Sequence, residues 1–408
     1  MVLGYSTDQN RDVLLKKHFG FKSFREGQFE IIESILSGRD TLAILPTGAG
    51  KSLCYQYPSK ILDGIVIVVS PLVALMRDQV KSLREINLRG GYLCSDQSIE
   101  EKRIVFGELK RGGQYILFLS PERLQKRGFR AWIASQNILF FVVDEAHCMV
   151  QWGNHFRPDY GRLGLLRELR GDIPIMAMTA SATSSDINEI ACRLGLISPK
   201  VIVTGFYRSN LFCAIEKTFD DQSKDKKIIG EIKKIREGKV IVYCGTRSAA
   251  ERVAACVALK IGSVGVYHAG LPIAQRNEIQ QKFSEGKIKV LVATNAFGMG
   301  VDIADVRLLI HYNFPATIEA YYQEIGRAGR DGLKSKCLLY YSTNDIGLQA
   351  YFVRSSEQSK DQALKRWKDL DAMINFLEEK KCRHVGLLRH FGERSLIESC
   401  GHCDRCID

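Results

Sequence analysis

Apolar residues along this chain gather into short unbroken runs. TLAIL (41–45), IVIVV (65–69), YILFL (115–119), ILFFVV (138–143) and IPIMAM (173–178) are rich in β-branched side chains and bounded by Gly, Pro or charge. That is the pattern of strands buried on both faces. Segments between them, such as 71–87 and 97–111, read as helices, and strands alternating with helices predict a parallel sheet with crossover connections. Residues 206–340 repeat the pattern with VIVYC (240–244), VGVYH (264–268), VLVAT (290–294), VRLLIHY (306–312) and CLLYY (337–341). The expectation is two consecutive α/β domains, 1–205 and 206–342, with a short joint near 204–210 and a cleft between them. From about residue 345 the pattern turns helical, most strongly over 361–380, and then cysteine-rich, which predicts a smaller third module over 343–408.

Composition narrows the class. The 408 residues are 45% hydrophobic and 25% charged, which excludes a mostly disordered chain. Mean hydropathy is −0.10, and no stretch approaches the ~20 apolar residues of a membrane span. The N-terminus shows no apolar run behind a basic patch, so a secretory signal is not expected. Twelve cysteines without export suit a reducing compartment, with thiols free, catalytic or metal-bound. The expected setting is therefore cytoplasmic, nucleoid-associated in a bacterium, away from membranes.

Charge adds a partner class. There are 58 Lys and Arg against 46 Asp and Glu, a net +12. The surplus lies in residues 1–205 and 206–340, while 341–408 are balanced. A spread surplus fits binding to a phosphate backbone over a long surface. A soluble basic protein with solvated lysines fits it equally well.

Chemistry enters directly after the first apolar run, at Leu45-Pro-Thr-Gly-Ala-Gly-Lys-Ser52. Glycines let backbone N–H groups curl around phosphates, a Lys reaches the β- and γ-phosphates, and a Ser hydroxyl binds Mg²⁺. The strict pattern has Gly where Leu45 stands, but the position after a buried strand makes Thr47, Gly48, Ala49, Gly50, Lys51 and Ser52 a candidate phosphate loop. The run 138–143 ends in Asp144-Glu145-Ala146-His147. An acidic residue at the tip of a buried strand is the expected second Mg²⁺ ligand, and Glu145 is placed as a general base on water. A bare Gly-Lys-Ser turn or a solvated strand end would be the bland reading of either motif alone. Together they predict an NTPase.

These residues resemble superfamily 2 helicases and, within them, the RecQ family of DNA helicases, over the chain from about residue 14 to Cys406. The resemblance implies two tandem RecA-like parallel-sheet domains followed by a small helical zinc-binding module, ATP with Mg²⁺ as the fuel, and DNA as the partner. It gives FGFKSFREGQ the role of adenine reader, with Phe21 stacking, Gln28 hydrogen-bonding the base and Arg25 beside it. Glu26 stands where the family has Pro. Ser70, in VVSPLVALMRDQV (68–80), and LSPERL (119–124) resemble segments that touch the backbone of single-stranded DNA, and their Ser-Pro steps also suit helix N-caps. QWGNHFRPDY (151–160) resembles an aromatic-rich loop that couples DNA binding to hydrolysis, carried by Trp152, Phe156 and Arg157, with Asn154 and His155 where His and Asp are usual. Stacking a base on an aromatic ring contributes about 1–3 kcal/mol.

MTASAT (178–183) matches the third family motif, with Ser181 in place of Thr. ATNAFGMGVD (293–302), which ends in Asp302, and YYQEIGRAGRDG (321–332) resemble the fifth and sixth. Gln323, Arg327 and Arg330 are spaced to share one helical face. Arginines delivered to a transferring γ-phosphoryl group accelerate its transfer roughly a thousandfold or more. Arg330 is the expected finger and Arg327 its partner, with the reverse assignment open.

Cys382, Cys400, Cys403 and Cys406 suit a closed tetrahedral structural Zn²⁺. An iron–sulfur cluster can share such steps, and the resemblance favours zinc. The other eight cysteines, 54, 94, 148, 192, 213, 244, 256 and 337, read mostly as buried small hydrophobes.

The expected activity is an ATP-dependent 3′→5′ DNA helicase, a monomer working on single-stranded and tailed duplex DNA in repair or recombination. Family members continue into a winged-helix domain that grips duplex, whereas this sequence ends at Asp408. The alternative is accordingly a DNA-stimulated translocase or annealing protein that opens little duplex. A DNA-binding scaffold with a degenerate motor is the non-enzymatic rival, and the intact Lys51, Asp144, Glu145 and Arg330 speak against it.

Overall fold

A computed structural model of the protein describes residues 8–151, 158–298, 303–355, 360–393 and 397–407. Two compact units emerge, the first closing at Gly205 and the second opening at Phe206.

The first unit is built on seven parallel strands: β1 (Thr41–Ile44), β2 (Ile65–Val69), β3 (Gly90–Leu93), β4 (Tyr115–Leu119), β5 (Ile138–Val143), β6 (Ile175–Thr179) and β7 (Lys200–Val203), ordered β3-β4-β2-β5-β6-β1-β7. The second holds six: β8 (Leu211–Lys217), β9 (Lys239–Tyr243), β10 (Val264–Tyr267), β11 (Val290–Ala293), β12 (Val306–His311) and β13 (Ser335–Tyr341), ordered β10-β11-β9-β12-β13-β8 and again parallel.

All ten apolar runs are strands. β1, β2, β4, β6, β9 and β11 are buried along their whole length because helices cover both faces. β3, β7 and β8 are additional. Each lies at a sheet edge and keeps only part of its side chains from water, so none shows an unbroken apolar run. Helices Val73–Glu85 and Ile99–Lys110 occupy the two segments read as helical. The second starts with a capping box, in which Ser98 accepts from the Glu101 amide and Glu101 from the Ser98 amide.

The tail is fastened to the edge of the second sheet. Helices Thr343–Ser355, Lys360–Glu378 and Arg383–His390 lead to the last cysteines. Cys403 forms a parallel bridge with Cys213 of β8, the Asp404 amide donates to the Cys213 carbonyl at 3.0 Å, and the Ile215 amide donates to Asp404 Oδ2 at 3.2 Å. Among the described residues, no helix is long and apolar enough to cross a membrane.

Candidate functional site

In an open parallel sheet, ligands bind beyond the carboxyl ends of the strands, and the first unit gathers its polar residues there. Hydrogen bonds that continue the ladder past the strand ends set them side by side. The Ser70 amide donates to Leu119, the Asp144 amide to Val69, the Ala146 amide to Met178 and the Leu45 amide to Thr179. The phosphate loop, Asp144, Glu145, Thr179 and Ser70 therefore share one edge, though they come from four different strands.

The loop turns between β1 and helix Leu53–Ile61. Gly48 and Gly50 take φ of 85° and 80°, which L side chains rarely adopt. A Cβ on Gly50 would sit 2.6 Å from Gln28 Nε2. Gln28, 2% exposed, donates to the carbonyls of Ala49 at 2.9 Å and Gly50 at 3.0 Å, and accepts from the Arg25 amide at 2.8 Å. Arg25 donates to the Gly48 carbonyl. So the segment expected to read adenine is tied to the phosphate loop in this structure. Phe21 is 52% exposed, as an aromatic awaiting a stacking partner would be.

At the end of β5, burial and the neighbouring Glu145 push the Asp144 carboxyl up to about 7, against the pull of the Lys51 ammonium. Two adjacent carboxyls opposed chiefly by one lysine are short of positive charge. A divalent cation would fit that deficit. Glu145 adopts φ 50°, uncommon for a residue with a side chain, and its amide donates to Asp144 Oδ1 at 3.0 Å.

Three residues around this pair were not singled out from sequence. Buried His147 has Nδ1 2.9 Å from Thr179 Oγ1 and 3.5 Å from Glu145 Oε2, and burial lowers its pKa. Thr179 donates in turn to the Ser181 carbonyl at 3.0 Å, so His147 ties the Asp144–His147 segment to MTASAT. Tyr160, fully buried, donates to the Asp144 carbonyl. His147 and Thr179 had a signal in the sequence, a polar group at or beside an apolar strand end, whereas Tyr160 had none. Trp152, Phe156 and Arg157 lie outside the described residues. Ser70 and Ser120 are buried, and their hydroxyls have no hydrogen-bond partner among the described residues. Ser120 occupies an N-cap position without a capping hydrogen bond, and Ser70 caps no helix.

In the second unit the sixth motif departs from the helical expectation. Helix Ile318–Ile325 stops before the arginines, so Gln323 is on the helix while Arg327 and Arg330 lie on the turn beyond it. The interruption comes from Gly326 and Gly329, the latter with φ 56°. Arg327 donates to the Gly298 carbonyl, and a Cβ on Gly298 would collide with its guanidinium at 2.4 Å. Arg327 and Arg330 both line a small cavity with Phe297 and Ile303. Asp302 lies outside the described residues.

The four tail cysteines converge. Their Sγ atoms lie within 4.8 Å of one another, with Cys403 3.4 Å from Cys406, Cys400 3.9 Å from Cys406, and Cys403 4.0 Å from Cys382. Zn–S bonds of about 2.3 Å in a tetrahedron put sulfurs about 3.8 Å apart, so the set fits one zinc ion. A cluster of several irons would hold its sulfurs farther apart. Amides of Arg383, Cys400 and His402 donate to these sulfurs at 3.3–3.5 Å. Of the other eight cysteines, Cys192 is exposed, Cys256 is half-buried and the remainder are buried.

A phosphate loop and an acidic strand end on one parallel sheet, a second such sheet carrying an arginine-bearing turn, and a four-thiolate tail define a RecA-like helicase motor with a zinc module. Sequence profiles agree: residues 25–190 match DEAD/DEAH box helicase, 223–332 the helicase conserved C-terminal domain, and 343–407 RecQ zinc-binding. The chain belongs to the RecQ family. It is 39% identical over 391 residues to the ATP-dependent DNA helicase RecQ of Pasteurella multocida, covering 96% of this chain and 61% of that protein. It is 42% identical over 350 residues to the probable ATP-dependent DNA helicase RecS of Bacillus subtilis, covering 85% and 70%. The chain thus spans about three-fifths of the Pasteurella relative's length. Saccharomyces cerevisiae Dbp5 bound to RNA and ADP BeF3 shares the fold with a TM-score of 0.67 at 17% identity, over 88% of this chain and 97% of Dbp5. Mycobacterium smegmatis Lhr bound to single-stranded DNA and AMP-PNP does so with a TM-score of 0.65 at 18% identity, over 94% and 56%.

Proposed function

We propose that the chain is an ATP-driven DNA motor that moves 3′→5′ along a single strand and separates the duplex ahead of it. The observation that carries the reading is the shared edge of the first sheet, where the phosphate loop, Asp144 and Glu145 stand together. Lys51 and the loop amides hold the phosphates. Ser52 and Asp144 would hold Mg²⁺, which neutralises charge on the β- and γ-phosphates. Glu145 takes a proton from the attacking water, and Arg327 and Arg330, carried by the second unit, stabilise the charge on the transferring group. Phe21, Arg25 and Gln28 take the base and Asp302 the nucleotide, while Ser70, Trp152, Phe156 and Arg157 are the proposed DNA-binding residues. Gln28 must give up its loop carbonyls to reach an adenine. Family membership supports DNA as substrate, and the polarity is part of the proposal.

The second reading is a DNA-stimulated translocase or strand-annealing protein with little duplex opening. ATP-dependent opening of 3′-tailed, 5′-tailed and blunt duplexes separates the two. Opening of the 3′-tailed duplex alone is expected. Opening of the 5′-tailed duplex alone would overturn the polarity, and turnover with no opening would select the translocase.

A further inference from the structure

Between Gly205 and β8 runs a short irregular segment, Phe206-Tyr-Arg-Ser-Asn210, to which the functional reading gives no part. Within the second unit, its Arg208 and Asn210 side chains reach the turn that carries Arg327 and Arg330. The Arg208 guanidinium donates from Nη1 to the Gly326 carbonyl at 3.5 Å and from Nη2 to the carbonyls of Ala328 at 3.2 Å and Gly329 at 2.9 Å. The Asn210 amide donates to the carbonyls of Gly329 at 2.9 Å and Leu333 at 3.0 Å. From the other side, the Gly329 amide donates to the Val306 carbonyl at 3.0 Å. A Cβ on Gly329 would meet Asn210 Nδ2 at 2.5 Å, so turn and side chains are fitted to each other.

We infer that Arg208 is a positioning residue for Arg327 and Arg330, with Asn210 as its auxiliary; the inference rests on the motor reading given above. The carbonyls beyond the end of helix Ile318–Ile325 have no helical partner. A planar guanidinium can hold three of them at once from its two terminal nitrogens, and a single ammonium cannot reproduce that fork. The peptide it grips at Gly329 is the one that leads into Arg330, so the fork fixes the direction in which that side chain leaves the backbone.

Arg208 is itself anchored. The Phe206 ring stacks on Phe391 at 4.4 Å, the Phe206 amide donates to Glu393 Oε2 at 2.7 Å, and Tyr322 OH donates to the Phe206 carbonyl at 3.0 Å. The segment is thus pinned between the sixth-motif helix and the tail module before Arg208 reaches out. Misplacing a reacting group by about 1 Å can cost about a hundredfold in rate. ATP in its ground state is held chiefly by the phosphate loop of the other unit, so the loss should appear in kcat and spare KM.

The test is steady-state ATP turnover with single-stranded DNA for wild type, Arg208→Ala, Arg208→Lys and Asn210→Ala, with thermal melting of each. Arg208→Ala is expected to lose about 10- to 100-fold in kcat, with KM for ATP within about threefold. Arg208→Lys should remain at least about tenfold down, because it keeps the charge but lacks the fork. Millimolar guanidinium should raise turnover of Arg208→Ala without raising that of wild type. A kcat for Arg208→Ala within twofold of wild type, or a loss expressed mainly in KM, overturns the inference. Should Arg208→Ala fail to melt cooperatively, Asn210→Ala carries the test. It is expected to lose several-fold in kcat at an unchanged melting temperature, and an unchanged kcat overturns the inference. A wild-type chain without turnover would strike the motor reading itself, an outcome visible before any variant is compared.

Discussion

At Gly50 the phosphate loop turns with φ 80° while the Gln28 amide packs against it. Two separate costs therefore meet any side chain there: a strained backbone, at about 1–3 kcal/mol, and a collision with Gln28. Gly50→Ala is expected to weaken ATP binding by about tenfold or more, since 1.4 kcal/mol is a factor of ten, and to lower the melting temperature by a few degrees. Titration with a fluorescent ATP analogue reads this, and unchanged affinity would contradict the assigned loop geometry. A different residue-scale device is the buried pair Lys224–Asp345, at 2.5 Å and with neither side chain more than 5% exposed. Asn313 and the Ser342 amide complete it, both donating to Asp345. The pair joins helix Asp221–Lys234 to helix Thr343–Ser355 across 121 residues of sequence, and each member alone reads as an ordinary surface charge.

At the scale of elements, the tail module and the edge of the second sheet form one construction. Arg383, 1% exposed, donates to Asp404 from Nε and to the Phe376 carbonyl from a terminal nitrogen, while His384 Nε2 lies 3.0 Å from the Leu211 carbonyl at the start of β8. Closed zinc sites contribute on the order of 10 kcal/mol to folding, comparable with the whole stability of a small domain. Metal analysis should find one zinc per chain. Its removal should raise hydrogen exchange in β8 and helix Arg383–His390 while β1, β2 and β5 stay protected. Protection unchanged after full removal would contradict a structural role for the ion.

The same elements show what a sequence displays and what it hides. Central strands announce themselves because both faces need apolar side chains, and Cys-x2-Cys steps because the ion's geometry fixes their spacing. β8 stayed hidden because an edge strand buries only alternate residues. The sixth-motif helix was drawn too long because its spacing stays helical through Gly326, where the backbone leaves the helix. Thr179, Tyr160 and Arg208 escaped because their importance lies in partners 16 to 121 residues away, a proximity that only the folded chain creates.

For the whole molecule, the proposed function requires that the phosphate loop of the first unit fuel work on DNA. On the proposed function, the basic surplus in residues 1–340 would supply affinity for a phosphate backbone irrespective of nucleotide. DNA binding and ATP turnover should therefore separate in a variant that harms only the fuel site. The most direct measurement is ATP turnover by wild type and Lys51→Ala, with and without single-stranded DNA, alongside strand binding by fluorescence anisotropy at fixed salt. Turnover that rises with DNA in wild type, and that is absent in Lys51→Ala while strand affinity holds within a few-fold, is the predicted result. Turnover retained in Lys51→Ala, or wild-type turnover indifferent to DNA, would contradict it.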